Sequence, residues 1–224
     1  FTRPAIFNGE SKSYNFQFSK ELTQKLENYS NRLGVSSFTV LYAAYSKTLM
    51  DYSGQSDLIV GLPMLGRPDY SHQNTIGYYA NVVAIRTAKN NSVRDYIKHV
   101  QDEVTWASER EHVPFEQVKS ALKLKKDRSR APLTQTLFSY QRPRPLNGLF
   151  EGKVESELSL EKDSVHTDLD TWIIHDQGSV RGGLEYRKDL SQLHKAIIHS
   201  LIFCCFCSLQ PMKGKVIFLL RDLK

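Results

Sequence analysis

The chain contains few cysteines, and they lie close together. Only three of its 224 residues are cysteine, and all three fall in one apolar stretch, as Cys204, Cys205 and Cys207. This odd, crowded set excludes a disulfide framework, and it lacks the paired spacing and the histidine partners of a zinc site. We therefore expect buried, reduced thiols, as in an intracellular protein.

The sequence also lacks an apolar run long enough to cross a membrane. Its most apolar segment, residues 196–209, is interrupted by His199 and is shorter than the roughly 20 residues that a spanning helix needs. No targeting signal is visible, although a sequence that begins inside a longer protein would not show one. These features predict a core helix from Gln192 to about Leu209, no membrane partner and a cytoplasmic location.

Sequence signatures of several enzyme classes are missing. There is no nucleophile elbow, no glycine-rich phosphate loop and no CxxC pair. Hydrolase, nucleotide-binding and metal-dependent functions therefore lack support, and no metal site is expected.

The charge of the chain is moderately positive, with a net charge of +6 and a pI near 9.1. The basic residues are scattered except for one run, which contains Lys123, Lys125, Lys126, Arg128 and Arg130. Two interpretations of this run stay open: a solvated loop, or a docking patch for an acidic carrier domain. Nucleic acid binding is not indicated, because no recognisable motif accompanies the charge.

Helical and strand patterns alternate along the chain, which predicts an α/β domain with one core. Serines precede three amphipathic segments as N-caps: Ser19, Ser36 or Ser37, and Ser92. Gly34 and Gly54 end the first two of these helices. Apolar or alternating runs predict strands over 14–18, 58–64, 78–85, 132–140, 169–174 and 180–187.

One polar residue, Asn81, stands in the middle of the apolar run from Tyr78 to Ile85. Burying an amide is costly unless its hydrogen bonds are satisfied. Asn81 is therefore the first candidate for a functional side chain.

Seven strings in this order resemble the C-terminal half of a nonribosomal peptide synthetase condensation domain. They are YSGQSD, VGLPMLGRP, IGYYANVVAIR, VPFEQV, APLTQTLFSYQ, DLDTW and LEYRKDL. The resemblance covers roughly residues 14 to 205. It implies a mixed sheet packed with helices, forming one lobe of the chloramphenicol acetyltransferase-like fold of CoA-dependent acyltransferases.

The resemblance also implies a function, a reaction and partners. In this family two lobes enclose a tunnel, where an acceptor amine attacks a donor thioester to form an amide. The family's catalytic string, HHxxxDG, belongs to the N-terminal lobe and does not occur in this sequence. We therefore expect no catalytic residue here and no activity of the isolated lobe. The expected partners are an N-terminal lobe and carrier proteins, whose phosphopantetheine arms tether the substrates, with no cofactor bound directly.

The resemblance sets the expected limits of the domain. Residues 1–13 are expected to form a connector, 14–210 the lobe, and 211–224 a tail with no assignment. A latch that reaches the other lobe is expected between about 150 and 178.

By the same resemblance, Asn81, Arg67, Tyr79 and Gln135 are expected to line the substrate tunnel. Alternatives stay open for three of them. The Asn81 amide could be satisfied by neighbouring backbone, Arg67 could pair with a carboxylate or fix its loop, and Gln135 is more readily structural than chemical.

Two further functions are considered. One is a lobe that only binds carrier proteins and takes no part in catalysis. The other is a self-sufficient acyltransferase that uses His166, since His166 and Asp170 satisfy the pattern HxxxD. However, Thr171 stands where a glycine usually follows, and Asp168 aligns with a strand well downstream of the catalytic position.

Overall fold

Three of the described helices begin after a serine cap, and two of these end at a glycine. The structure, a computed structural model, describes residues 4–188 apart from 8, 68–70, 72–74, 91, 143–163 and 177. The predicted helix over 192–209, its cysteines, most of the predicted latch and the tail lie outside these residues. The helices are α1 (Lys20–Leu33), α2 (Ser37–Ser53), α3 (Val93–Ser108) and α4 (Phe115–Ala121).

Local capping explains the starts of α1, α2 and α3 and the ends of α1 and α2. The hydroxyls of Ser19, Ser36 and Ser92 each accept a hydrogen bond from the backbone N–H three residues on, which satisfies an otherwise unpaired donor. Gly34 and Gly54 close α1 and α2 in the left-handed conformation. These predictions are confirmed. Across the described ranges, no helix is long and apolar enough to cross a membrane.

Within the described residues, six strands form one mixed sheet, which confirms the predicted fold class. The strands are β1 (Ser11–Gln17), β2 (Asp57–Met64), β3 (Asn81–Ala88), β4 (Thr136–Gln141), β5 (Leu169–Asp176) and β6 (Ser179–Arg187). Their order is β1-β6-β5-β4-β2-β3. The β2–β4 and β4–β5 pairs are parallel, and the β1–β6, β5–β6 and β2–β3 pairs are antiparallel.

An aromatic cluster joins the helices to the sheet. Phe138 of β4 is fully buried, and the rings of Phe38, Tyr42 and Tyr45 from α2 pack around it. The other helices lie beside this contact, with α1 against α2 and β6, and α3 against α2 and β3. The alternation along β5 buries Leu169, Thr171, Ile173 and His175 on the helix-covered face.

Three strands begin three or more residues from the start that the pattern predicts. β3 begins at Asn81 rather than Tyr78, because its partner strand β2 ends at Met64, which pairs with Asn81. β4 begins at Thr136 rather than Pro132, since Leu133 adopts a left-handed φ of 66°. β1 begins at Ser11, three residues before Tyr14 and within the predicted connector. The limits of the predicted domain stay a prediction.

Candidate functional site

The loop between β2 and β3 is held together by Arg67. Its Nη1 donates to the Thr75 carbonyl (2.8 Å) and its Nη2 to the Gly77 carbonyl (3.2 Å). The guanidinium also lies 4.3 Å from the centroid of the Tyr79 ring, a cation–π contact. Of the two roles open to Arg67, these contacts support the one that fixes the loop.

Gly66 allows the two sides of this loop to approach each other. It adopts a left-handed φ of 63°, and a Cβ there would lie 1.9 Å from the Tyr79 carbonyl oxygen. Only glycine fits this approach without a shift of the backbone. The loop thus presents three large apolar side chains to solvent, with exposed fractions of 72% for Leu65, 101% for Ile76 and 93% for Tyr78.

Asn81 connects the first residue of β3 to the turn between α3 and α4. Its Nδ2 donates to the carbonyls of Glu111 (2.8 Å) and Val113 (2.7 Å). Its Oδ1 accepts a hydrogen bond from the backbone N–H of Phe115 (3.1 Å). The amide is therefore satisfied by backbone groups, as one of the two interpretations of Asn81 held.

Arg67, Tyr79 and Asn81 lie together on the β3 side of β2, whereas Gln135 precedes β4 on its other side. Asn81 pairs with Met64, three residues beyond Gly61 on β2, and Gln135 comes two residues before Leu137, the β4 partner of Gly61. Gln135, just before β4, and Asn81, on β3, therefore lie on opposite sides of β2. Gln135 Nε2 donates to the Ala131 carbonyl (3.2 Å), which is a structural contact.

His166 and Asp170 have contacts that give no support to a catalytic pair. The side chain of His166 is exposed, and Asp170 accepts a hydrogen bond from the Thr167 hydroxyl. The neighbouring Asp168 is buried and forms an ion pair with the buried Arg187 (3.1 Å). Asp168 is thus a structural residue that the sequence interpretation did not identify.

His175 is a buried histidine that the sequence interpretation missed. Its Nδ1 lies 2.7 Å from the Tyr140 hydroxyl, and its Nε2 lies 3.0 Å from Glu27 Oε1 of α1. Burial is the main reason that the pKa of Tyr140 is raised, which keeps the phenol protonated. The group connects α1 to β4 and β5. The alternation of buried residues along β5 was the signal that could have found it.

The basic run lies on an exposed loop after α4. The side chains from Lys123 to Arg128 are exposed, and Arg130 forms an ion pair with Asp127 (2.7 Å). These features support the interpretation as a solvated loop. Among the described residues, no group of three or more His, Cys, Asp or Glu side chains comes together as metal ligands.

A mixed sheet in this order, backed by helices and with fixed loops at one end of its β2–β3 hairpin, fits the acyltransferase-like lobe that the resemblance implies. The model of the condensation-domain family matches residues 1–190. The chain therefore belongs to the condensation-domain family, and the resemblance drawn from the seven strings is confirmed.

Relatives with curated names are peptide synthetases. Gramicidin S synthase 2 of Brevibacillus brevis is 34% identical over 143 residues, which cover 63% of this chain and 3% of the synthase. Bacitracin synthase 3 of Bacillus licheniformis is 29% identical over 192 residues, which cover 83% of this chain and 3% of that synthase. The chain thus spans a small part of the relatives that it matches.

Solved structures share the fold at low sequence identity. A holo four-domain nonribosomal peptide synthetase bound to AMP and glycine matches with a TM-score of 0.82 and 19% identity, over 93% of this chain and 18% of the synthetase. The condensation domain of the monacolin K polyketide synthase matches with a TM-score of 0.80 and 16% identity, over 94% of this chain and 51% of that domain. The chain therefore corresponds to about half of that solved condensation domain.

Proposed function

We propose that this chain is the C-terminal lobe of a condensation domain that forms amide bonds in nonribosomal, or hybrid polyketide–peptide, synthesis in the cytoplasm. The acceptor amine nitrogen attacks the carbonyl carbon of the donor thioester. The carbon–sulfur bond breaks, the donor arm leaves as a thiol, and the amine loses a proton. An N-terminal lobe that carries HHxxxDG supplies the histidine for this step.

The observation that carries the proposal is the pair of fixed loops at one end of the β2–β3 hairpin. Arg67 holds residues 75–79, and Asn81 holds residues 111–115. Surfaces fixed before a substrate arrives lower the entropic cost of positioning it. These two loops are the part of the lobe that we assign to the tunnel wall. Gln135 supports a different part of that wall.

The substrates reach the tunnel on carrier proteins. A phosphopantetheine arm is a tether of the substrate, and the lobe needs no cofactor of its own in this scheme. The role of the lobe is to provide shape and polar contacts along half of the tunnel, while the reactive imidazole comes from the other lobe.

A turnover assay run beside a binding titration tests this proposal. The two-lobe domain, supplied with a loaded donor carrier and a loaded acceptor carrier, is expected to form the amide and to bind each carrier. Binding without product formation, in a domain whose HHxxxDG is intact, would instead support a lobe that only binds carriers. That second candidate is favoured by one observation, since Arg67 and Asn81 both bond to backbone groups of their own lobe.

A further inference from the structure

We propose that Asn81 is a positioning residue, which acts on the reaction by holding the turn of residues 111–115. On this proposal the side chains that contact the carrier-tethered substrate are His112 and Val113 of the turn, and not the Asn81 amide itself. The inference rests on the proposed function and adds to it the residues that meet the substrate.

The Asn81 amide uses both of its N–H donors on backbone groups of its own lobe. A carboxamide has two N–H donors. Nδ2 makes two bonds, to the Glu111 carbonyl and to the Val113 carbonyl, at 2.8 and 2.7 Å. Asn81 therefore has no N–H left to donate to a substrate unless one of these two bonds breaks.

The side chain of Asn81 also caps the start of α4. Pro114 precedes this helix, lacks a backbone N–H and forms no side-chain cap. The N–H of Phe115, in the first turn of α4, has no intrahelical partner, and Asn81 Oδ1 accepts it at 3.1 Å. Asn81 of β3 thus caps the N-terminus of α4, as local serines cap the N-termini of α1, α2 and α3.

The turn that Asn81 holds has exposed side chains at its centre. The side chains of His112, Val113 and Pro114 are exposed, whereas Glu111 and Phe115 are partly buried. Asn81 thus fixes the backbone of the turn, while the imidazole of His112 and the isopropyl group of Val113 are exposed to solvent. Because Asn81 begins the strand that follows the loop held by Arg67, both fixed loops lie at the same end of the hairpin.

The first test measures the hydrogen bond between the Phe115 N–H and Asn81, and it does not depend on turnover. In the two-lobe domain, hydrogen exchange of the Phe115 amide is compared between wild type, Asn81→Ala and Asn28→Ala. Asn28 is an exposed asparagine on α1 that accepts a hydrogen bond from Gln24, so it is a matched control. We expect exchange to accelerate roughly tenfold or more in Asn81→Ala, as the loss of a partly buried hydrogen bond implies, and to stay unchanged in Asn28→Ala.

The second test separates positioning from direct contact by enzyme kinetics. Asn81→Ala is expected to raise KM for the loaded acceptor carrier by roughly tenfold while kcat changes less than about twofold. A purely structural loss of folded enzyme would lower kcat and leave KM unchanged. His112→Ala is expected to raise KM as well, and the Asn81→Ala/His112→Ala double variant to be little worse than either single variant, since both act through one turn.

The outcomes distinguish this inference from the proposed function. Effects of the two single variants that multiply in the double variant would overturn the inference and indicate that Asn81 contacts the substrate directly. Faster exchange at Phe115 with KM unchanged would also overturn it. If the wild-type domain forms no amide but its binding of the loaded carrier weakens in Asn81→Ala and His112→Ala, the inference stands and only the proposed function fails.

Discussion

Arg187 is a fully buried cation whose contacts connect three separate parts of the chain. Its Nη1 donates to Asp168 Oδ1 and to the Ser129 carbonyl, both at 3.1 Å. Its guanidinium also lies 4.7 Å from the centroid of the Phe7 ring. A buried charge that loses its partner costs far more than an exposed one. This ion pair therefore belongs to the framework of the lobe.

Removing the carboxylate of Asp168 is expected to destabilise the chain strongly. Asp168→Ala should lower the free energy of unfolding by about 3–5 kcal/mol, because it leaves the Arg187 guanidinium buried without its charged partner. The control is Asp57→Ala, which breaks the exposed Asp57–Arg86 pair and should cost about 1 kcal/mol or less. Urea denaturation measures both. Equal losses in the two variants would contradict the assignment of Asp168–Arg187 as a structural pair.

The chemistry of single residues was more predictable from sequence than their partners. The pattern showed that Asn81 needs hydrogen bonds, because an amide interrupts an apolar run. It could not show that the partners lie 30 or more residues away in the turn after α3. Likewise, HxxxD drew attention to His166, while the buried Asp168 pairs with Arg187, 19 residues on at the end of the neighbouring strand β6.

The β2–β3 loop depends on the close approach between the backbones of Gly66 and Tyr79. We expect Gly66→Ala to lower the free energy of unfolding by about 1–3 kcal/mol more than Gly54→Ala does. Both glycines have left-handed φ angles, 63° and 71°, but only the Gly66 Cβ would meet backbone, whereas nothing lies within 4 Å of the Gly54 Cβ. The difference in unfolding free energy between the two variants therefore measures the clash between the Cβ added at position 66 and the Tyr79 backbone. Equal losses in thermal unfolding would contradict the close approach.

Element ends were predictable where their causes are local. Serine caps and terminal glycines lie within a few residues of the helices that they limit, so the bounds of α1 and α2 follow from the sequence. The start of β3 does not, because it is set by the pairing of Asn81 with Met64, the last residue of β2. A tertiary contact decided that boundary, and periodicity alone could not reveal it.

The core of the molecule contains phenols that must stay protonated. Burial is the main reason that the pKa values of Tyr42, Tyr45 and Tyr96 are raised. In the unfolded chain a tyrosine titrates near pH 10. Above that pH the unfolded state releases protons that the folded state retains, so the free energy of unfolding falls as pH rises. Below about pH 10 this contribution to stability is fully present.

Alkaline pH is therefore expected to destabilise the whole molecule. Urea denaturation at pH 8 and pH 11 should show a lower midpoint at pH 11, and Tyr45→Phe should reduce the difference because phenylalanine has no proton to lose. Tyr78→Phe, a change at an exposed tyrosine, is the matched control. A pH dependence that is the same in wild type and Tyr45→Phe would contradict the role given to the buried phenols.

At the scale of the molecule, the family resemblance predicted more than periodicity did. Seven strings in order identified the condensation-domain family, and the family match over residues 1–190 confirms it. They predicted a mixed sheet, but not which strands are neighbours, because the order β1-β6-β5-β4-β2-β3 depends on pairings between distant segments. The two-lobe account comes from the same resemblance, and the chain matches about half of a solved condensation domain.

The most direct test of that account is amide formation with and without a second lobe. Three samples are compared under the same loaded carriers: this chain alone, this chain joined to an N-terminal lobe with intact HHxxxDG, and the same two-lobe protein with the second histidine of that string changed to alanine. We predict amide product from the intact two-lobe protein only. Product formed by this chain alone would contradict the account.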